Sequence, residues 1–425
     1  MSRTRTAAVT MIVAAVAAAR LIATSPQSTA SVPFELPAPT GRYPIGTSSW
    51  HLTDRSRAET FAGPGAFREV EVIAWYPAAP RSGTVAPYLR EGVAEVRPFA
   101  KLFGDELAFD KLTSVRAHGQ LDAPPAKEPR RFPLLVFSHG YTGLPSSYTA
   151  LLEDLASHGY AVLSIVHPYE STASTLADGR VVSMNGSDGT YNREIQNVLG
   201  EWAAEDETMA RVTRATDPAE QERLLRGYLS TLHRTGIALR RWVDDTRLVV
   251  DRLSSLPAEG VAGRLAARLD MSRIGVFGHS MGGVTAAQFC LEDARCKAAM
   301  NLDGLPQYGS MIDASMPKPF LMVYSARPRR DGASDPIYRK AAHPYHRLDV
   351  RDTGHLEFTD MVFWGGPLRE RHVLQALPPA RAAAITAAIV RQYFDQELLG
   401  RRSPLLAGTS VFPEVTLTPV QPPGR

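Results

Sequence analysis

Residues 273–283 read Arg-Ile-Gly-Val-Phe-Gly-His-Ser-Met-Gly-Gly. The apolar run Ile274 to Phe277 predicts a short buried strand. It leads directly into Gly278-His279-Ser280-Met281-Gly282, a G-x-S-x-G pentapeptide, and then into a helix start built from small residues, Gly283 to Ala287. Strand, sharp turn and helix in that order are the geometry of a nucleophile elbow. The turn lifts the Ser280 hydroxyl clear of the backbone above the helix N-terminus. The next amide, that of Met281, then points at the oxygen that becomes negative during acyl transfer. A Cβ at Gly278 or Gly282 would clash with the turn or the adjoining helix. The bare pentapeptide turns up by accident in roughly one chain in ten of this length, as an ordinary glycine-rich turn. Its flanking strand and helix decide for the elbow.

Working outward, Phe132 to Phe137 is a continuous apolar strand ending at Ser138-His139-Gly140. Tyr148 to His158 predicts a helix capped by Gly159, and Tyr160 to Val166 predicts the next buried strand. Strand, helix and strand at this spacing imply a βαβ unit and a parallel sheet. Glu69 to Tyr76 is an earlier strand. From Asn192 to Leu256 the pattern is helical. Asp217-Pro218 opens one helix, and Leu239, Val243, Thr246, Val250 and Leu253 step by three and four along another. Residues 190–238 are expected as a helical insertion over the sheet edge. Ala298 to Leu302 and Phe320 to Tyr324 are further strands, and Ala380 to Leu399 is a helix with Ile385, Ile389 and Tyr393 on one face. The Pro-rich stretch 403–425 is expected to be extended or mobile. The fold class is therefore α/β: an α/β-hydrolase fold with a mostly parallel central sheet, helices on both faces and a helical insertion. The catalytic domain spans 31–402.

The chain has 425 residues, 44% hydrophobic and 21% charged, ordinary values for a globular protein. Arg3, Arg5 and Arg20 are the only charged side chains before Glu35, so the formal charge of +3 falls to zero without the first thirty residues. Nothing in the remainder would draw it to nucleic acid or to an anionic membrane. Basic Arg3 and Arg5 followed by the apolar or small run Ala7 to Ala19 predict a signal peptide over 1–30, too short to span a bilayer, and hence secretion. Cleavage could follow Ala19 or Ala30, and an uncleaved anchor is the rival. Cys290 and Cys296 are the only two cysteines. In an exported chain they could form a local disulfide if the backbone turns between them. No H-E-x-x-H or paired C-x-x-C occurs, so neither a metal nor a cofactor is expected.

A serine nucleophile needs a base, and the base needs an anion to hold its tautomer. Four histidines follow Ser280: His343, His346, His355 and His372. Only His355, in Asp352-Thr353-Gly354-His355, directly follows a strand-like run, Arg347 to Val350, where the last strand hands its loop to the site. For the acid, Asp303 at the end of its strand competes with Asp331 and Asp335 after the next one, and position leaves that choice open. The second oxyanion donor is expected from the loop after Phe132–Phe137, through the amide of Tyr141. His139 reads as a structural loop histidine.

Several separate segments resemble one family, the plasma-type platelet-activating factor acetylhydrolases, particularly their bacterial relatives. They are Leu36-Pro37-Ala38-Pro39-Thr40-Gly41-Arg42-Tyr43, Val136-Phe137-Ser138-His139-Gly140-Tyr141, the stretch Asp154 to Tyr160, Arg273 to Gly283, Leu302-Asp303 and Gly354-His355. The resemblance implies a calcium-independent serine esterase that removes short or oxidised acyl chains from phospholipid-like esters. It also implies Asp303 as the acid, since the family takes its carboxylate from the strand after the nucleophile helix. Mammalian members dock on lipid particles through an apolar surface helix. Here Pro98 to Leu112 is broken by Lys101, Asp105, Glu106 and Asp110, so a half-buried face is expected in place of membrane insertion. The rival readings are a general carboxylesterase or polyester hydrolase, and a catalytically silent binding protein of the same fold.

Overall fold

The computed structural model describes residues 34–420 except 81–82, 104–108, 187–188, 306–309, 328–329, 331, 339–344, 365–367 and 370–372. The expected signal segment, Asp331, His343 and His372 lie outside the described residues, as do the side chains of 99–111. Eleven strands form one sheet and a two-stranded ribbon stands apart. The first four sheet strands are β1 (Ile45–Ala58), β2 (Phe67–Pro77), β3 (Val85–Pro87) and β4 (Arg116–Leu121). Then come β5 (Phe132–Ser138) and β6 (Ala161–Val166), with the ribbon formed by β7 (Ser174–Thr175) and β8 (Val181–Val182). The second half supplies β9 (Leu269–His279), β10 (Cys296–Leu302), β11 (Phe320–Ser325), β12 (Tyr345–Val350) and β13 (Val415–Val420). The spatial order is β13-β12-β11-β10-β9-β5-β6-β2-β1-β4-β3.

From β6 to β12 the neighbours are all parallel. β5 pairs with β6 on one side, and the chain then crosses back so that β9 pairs on the other. This reversal opens a crevice at the carboxyl ends of β5 and β9, the place where α/β sheets bind ligands. Side chains of β5 alternate between the faces. Leu134 and Val136 join the core on one side, Leu135 and Phe137 the core on the other. A strand buried on both sides must be apolar throughout, which is why Phe132–Phe137 reads as one continuous run.

The longer helices, in chain order, are α1 (Val93–Phe103), α2 (Thr149–Ser157), α3 (Arg193–Glu201), α4 (Glu205–Arg214), α5 (Pro218–Leu229), α6 (His233–Arg252), α7 (Met281–Glu292) and α8 (Pro379–Leu399). Helices α6 and α7 cover one face, through Leu239, Val243, Val284 and Phe289. Helices α2 and α8 cover the other, through Leu151, Leu155, Ile385, Ile389 and Tyr393. The Asp217 carboxylate caps α5, accepting from the Ala219 amide at 3.1 Å ahead of Pro218 in the first turn. In α1, Glu95 and Val96 are buried, as is Leu112 beyond it.

Two expectations need correcting. The insertion is not at the sheet edge: Trp202, between α3 and α4, packs its ring on Tyr141 in the loop after central strand β5, and Arg330 beyond β11 bonds Glu205 and Asp206 of α4. It therefore lies over the carboxyl ends of the central strands. The Pro-rich tail is not merely loose, because Val415–Val420 pairs antiparallel with the whole of β12.

Candidate active site

Ser280 follows β9 immediately and caps α7 with φ 56° and ψ −125°, a region where a residue bearing a side chain is strained. The strain is over-determined by contacts. The Ser280 amide donates to the Leu302 carbonyl at 2.8 Å, fastening the elbow to the end of β10. A Cβ on Gly282 would lie 2.1 Å from the Ser138 carbonyl oxygen, and one on Gly278 would lie 2.3 Å from the Gly282 carbonyl carbon. The turn is thus pressed against the end of β5, with room only for glycine.

Asp303 directly follows β10 and is 2% exposed. Its Oδ1 accepts from the Ser325 amide at 2.9 Å, and its Oδ2 takes the Ser325 hydroxyl at 2.9 Å and Arg327 Nη2 at 2.9 Å. Oδ2 also lies 2.7 Å from His355 Nδ1. Burial alone would raise the Asp303 pKa, but the Arg327 charge and the His355 hydrogen bond outweigh it and hold it well below the ordinary carboxylate range. An ionised acceptor on that side fixes the His355 proton on Nδ1 and leaves Nε2 able to accept one. Burial, and next the Arg327 charge, hold the His355 pKa below the ordinary histidine value, against the opposing pull of Asp303. The His355 side chain stays 29% exposed, and its ring lies tilted 4.3 Å from that of His279. His355 is thus hydrogen-bonded to Asp303 and lies beside His279, the residue before Ser280.

The competing acid Asp335 is committed elsewhere. It accepts from the Tyr345 hydroxyl at 2.7 Å and pairs with Arg347 at 3.3 Å, tying the loop after β11 to β12. His346 lies within β12, opposite Leu321 of β11. The loop after β5 runs beside Ser280, for a Cβ on Gly140 would sit 3.3 Å from Ser280 Cβ. Tyr141 comes next, 5% exposed, its ring 5.5 Å from Trp202 and 5.9 Å from Trp242. Met281 is the first residue of α7, where an amide has no partner within the helix. His139 is fully buried, its Nδ1 2.7 Å from the Gly140 carbonyl and its Nε2 3.3 Å from the His167 amide. Burial, and then His167, push its pKa down to about 3, so it is a neutral strut.

Ser325 and Arg327, which surround Asp303, went unread in the sequence. Their one signal is that they stand at and just after the end of β11, the strand beside the one that Asp303 follows. Cys290 and Cys296 are disulfide-bonded with Cα atoms 5.2 Å apart, joining the end of α7 to the start of β10. Among the described residues no cluster of histidine, cysteine or carboxylate could hold a metal ion, and no helix is long and apolar enough to cross a membrane.

The family described as platelet-activating factor acetylhydrolase, isoform II, matches residues 33–374. The chain belongs to this family. It is 26% identical to the platelet-activating factor acetylhydrolase of Bos taurus over 240 residues, 55% of this chain and 49% of that protein. It is 22% identical over 306 residues to a probable 1-alkyl-2-acetylglycerophosphocholine esterase of Arthroderma benhamiae, 67% of this chain and 65% of that one. The matches thus span about half to two thirds of these curated relatives. Among solved structures, a ferulic acid esterase from Streptomyces cinnamoneus is 31% identical with a TM-score of 0.69, covering 91% of this chain and 99% of its own. The fold is that of the α/β-hydrolases, and the relatives are ester hydrolases by name.

Proposed function

We propose that the chain is a secreted serine ester hydrolase acting on short-acyl esters of the phospholipid sn-2 type. Ser280 Oγ attacks the ester carbonyl while His355 Nε2 takes its proton, and the Tyr141 and Met281 amides hold the oxyanion. Collapse of the tetrahedral intermediate expels the alcohol, which receives that proton from His355. Water, deprotonated by the same nitrogen, then attacks the acyl-enzyme and releases the carboxylic acid and free Ser280. Asp303 holds the tautomer throughout and stabilises the imidazolium. The observation that carries this reading is the 2.7 Å hydrogen bond from His355 Nδ1 to Asp303, beside a strained serine on a glycine-flanked turn.

The family supports the phospholipid class of substrate. The near full-length likeness to a ferulic acid esterase favours a second reading, a carboxylesterase for bulkier acyl groups. Comparing kcat/KM for p-nitrophenyl acetate, butyrate and octanoate, for methyl ferulate, and for a phospholipid with a two-carbon sn-2 chain, with chelator present, separates them. Each misfitted group is worth about 1–3 kcal/mol, roughly 10- to 200-fold. A steep fall with chain length and calcium-independent turnover of the phospholipid support the first reading. A preference for octanoate or ferulate without phospholipid turnover rejects it. The disulfide supports export, since such bonds persist in oxidising compartments. Amino-terminal sequencing of protein recovered from the medium tests that.

A further inference from the structure

We infer that Tyr148 and His279 are positioning residues that lock the oxyanion loop, the nucleophile turn and the base loop into one unit. The inference rests on the proposed esterase reading. Their hydrogen bonds form a chain of determined direction. His279 Nε2 lies 2.9 Å from the His355 carbonyl oxygen, which can only accept, so Nε2 carries the proton. The ring is 2% exposed, and burial, then the neighbouring His355, hold its pKa well below the ordinary value, so it is neutral and its Nδ1 is bare. Nδ1 is 2.9 Å from the Tyr148 hydroxyl, which must donate to it. Burial keeps that phenol protonated. The Tyr148 oxygen in turn accepts the Gly140 amide at 3.2 Å.

The sequence of donors is therefore Gly140 N–H to Tyr148, Tyr148 O–H to His279, and His279 N–H to His355. No group in it can be reversed, because a backbone amide begins it and a carbonyl ends it. Gly140 precedes the proposed oxyanion donor Tyr141, His279 precedes Ser280, and His355 is the proposed base. The chain thus links residues beside the proposed nucleophile, base and second oxyanion donor while touching none of the reacting atoms. The Tyr148 ring is held independently, 4.8 Å from Phe137, so removing its hydroxyl leaves the packing intact.

The test is a double-mutant cycle of Tyr148→Phe and His279→Gln with p-nitrophenyl acetate. Rates are expressed per active site after titration with a fluorophosphonate. Glutamine can place its NH2 donor toward the His355 carbonyl but has no acceptor at the Nδ1 position that faces Tyr148. We expect each single variant to lose roughly 10- to 100-fold in kcat with KM changed less than about threefold, short of the ~10²–10³ cost of deleting an oxyanion donor outright. The double variant should lose little more than the worse single one, since linked groups are not additive. Single variants within about twofold of wild type in kcat, or a double loss equal to the product of the single ones, overturn the inference. A merely structural role would lower Tm and the titratable fraction but leave kcat per site unchanged. Failure of the wild type to label at Ser280 is a separate outcome, which rejects the esterase reading and this inference with it.

Discussion

Asp303 and Asp245 are both buried carboxylates that hold Nδ1 of a histidine, and each is also paired with an arginine. At the site, Asp303 Oδ2 lies 2.7 Å from His355 and 2.9 Å from Arg327. Beneath the loop after β6, Asp245 Oδ2 lies 2.8 Å from His167 and 2.7 Å from Arg68. The pairs differ in what surrounds the second imidazole nitrogen. His355 keeps 29% of its side chain exposed and adjoins the nucleophile turn. His167 is wholly buried, stacked 3.8 Å under Trp242, with Nε2 3.3 Å from the Ser138 hydroxyl. Burial pushes the His167 pKa down to about 4 despite Asp245, so it too stays neutral. A histidine–aspartate bond is thus a common way to satisfy a buried ring. What sets the His355 pair apart is its exposure and its place beside the Ser280 turn.

Exchanging the two carboxylates for amides should separate these roles. Asp303→Asn is expected to cost about 10⁴-fold in kcat by favouring the wrong imidazole tautomer, with a small change in Tm. The comparison fails if activity drops less than about tenfold. Asp245→Asn should act mainly on stability, because it removes the charge of the bidentate partner of Arg68, which is 1% exposed. Removing one member of a buried pair costs about 3–5 kcal/mol, although Glu59 at 2.9 Å and Glu170 at 3.6 Å keep part of the compensation. Urea unfolding measures this, and a loss below about 1 kcal/mol would contradict it. The smallest effect concerns pH. A general base must be neutral, so kcat/KM should rise with pH through the His355 pKa and level off at lower pH than an ordinary histidine would give, because that pKa lies below the ordinary ~6.5. Arg327→Gln removes a cation that disfavours imidazolium, so the acid limb should move to higher pH. A limb that stays put or moves down would show that Arg327 does not tune the base.

What could be read from sequence was local. The elbow, β5, β6 and α2 are written in contiguous apolar runs and glycine stops, and His355 stood out because a strand ends just before it. Strand β1 escaped notice: only Ile45–Ser48 at its start is fully buried, and its second half carries Asp54, Arg55 and Arg57. Strand β13 depends on its pairing with β12 more than on its own short alternation. The choice of Asp303 over Asp335 was invisible to pattern, since both follow buried strands. It rests on partners, Ser325 and His355 for one, Tyr345 and Arg347 for the other. The Arg68–Asp245 pair was equally out of reach, joining residues 177 apart in sequence.

The claim that this crevice performs acyl transfer through Ser280 is tested most directly by covalent labelling. Wild-type protein is treated with a fluorophosphonate, followed by intact mass and peptide mapping, beside Ser280→Ala. A single adduct on the peptide carrying Gly278-His279-Ser280-Met281-Gly282, absent from the alanine variant, is the predicted result. An adduct on another residue, no adduct on the folded wild type, or an alanine variant labelled as fast as wild type would contradict it.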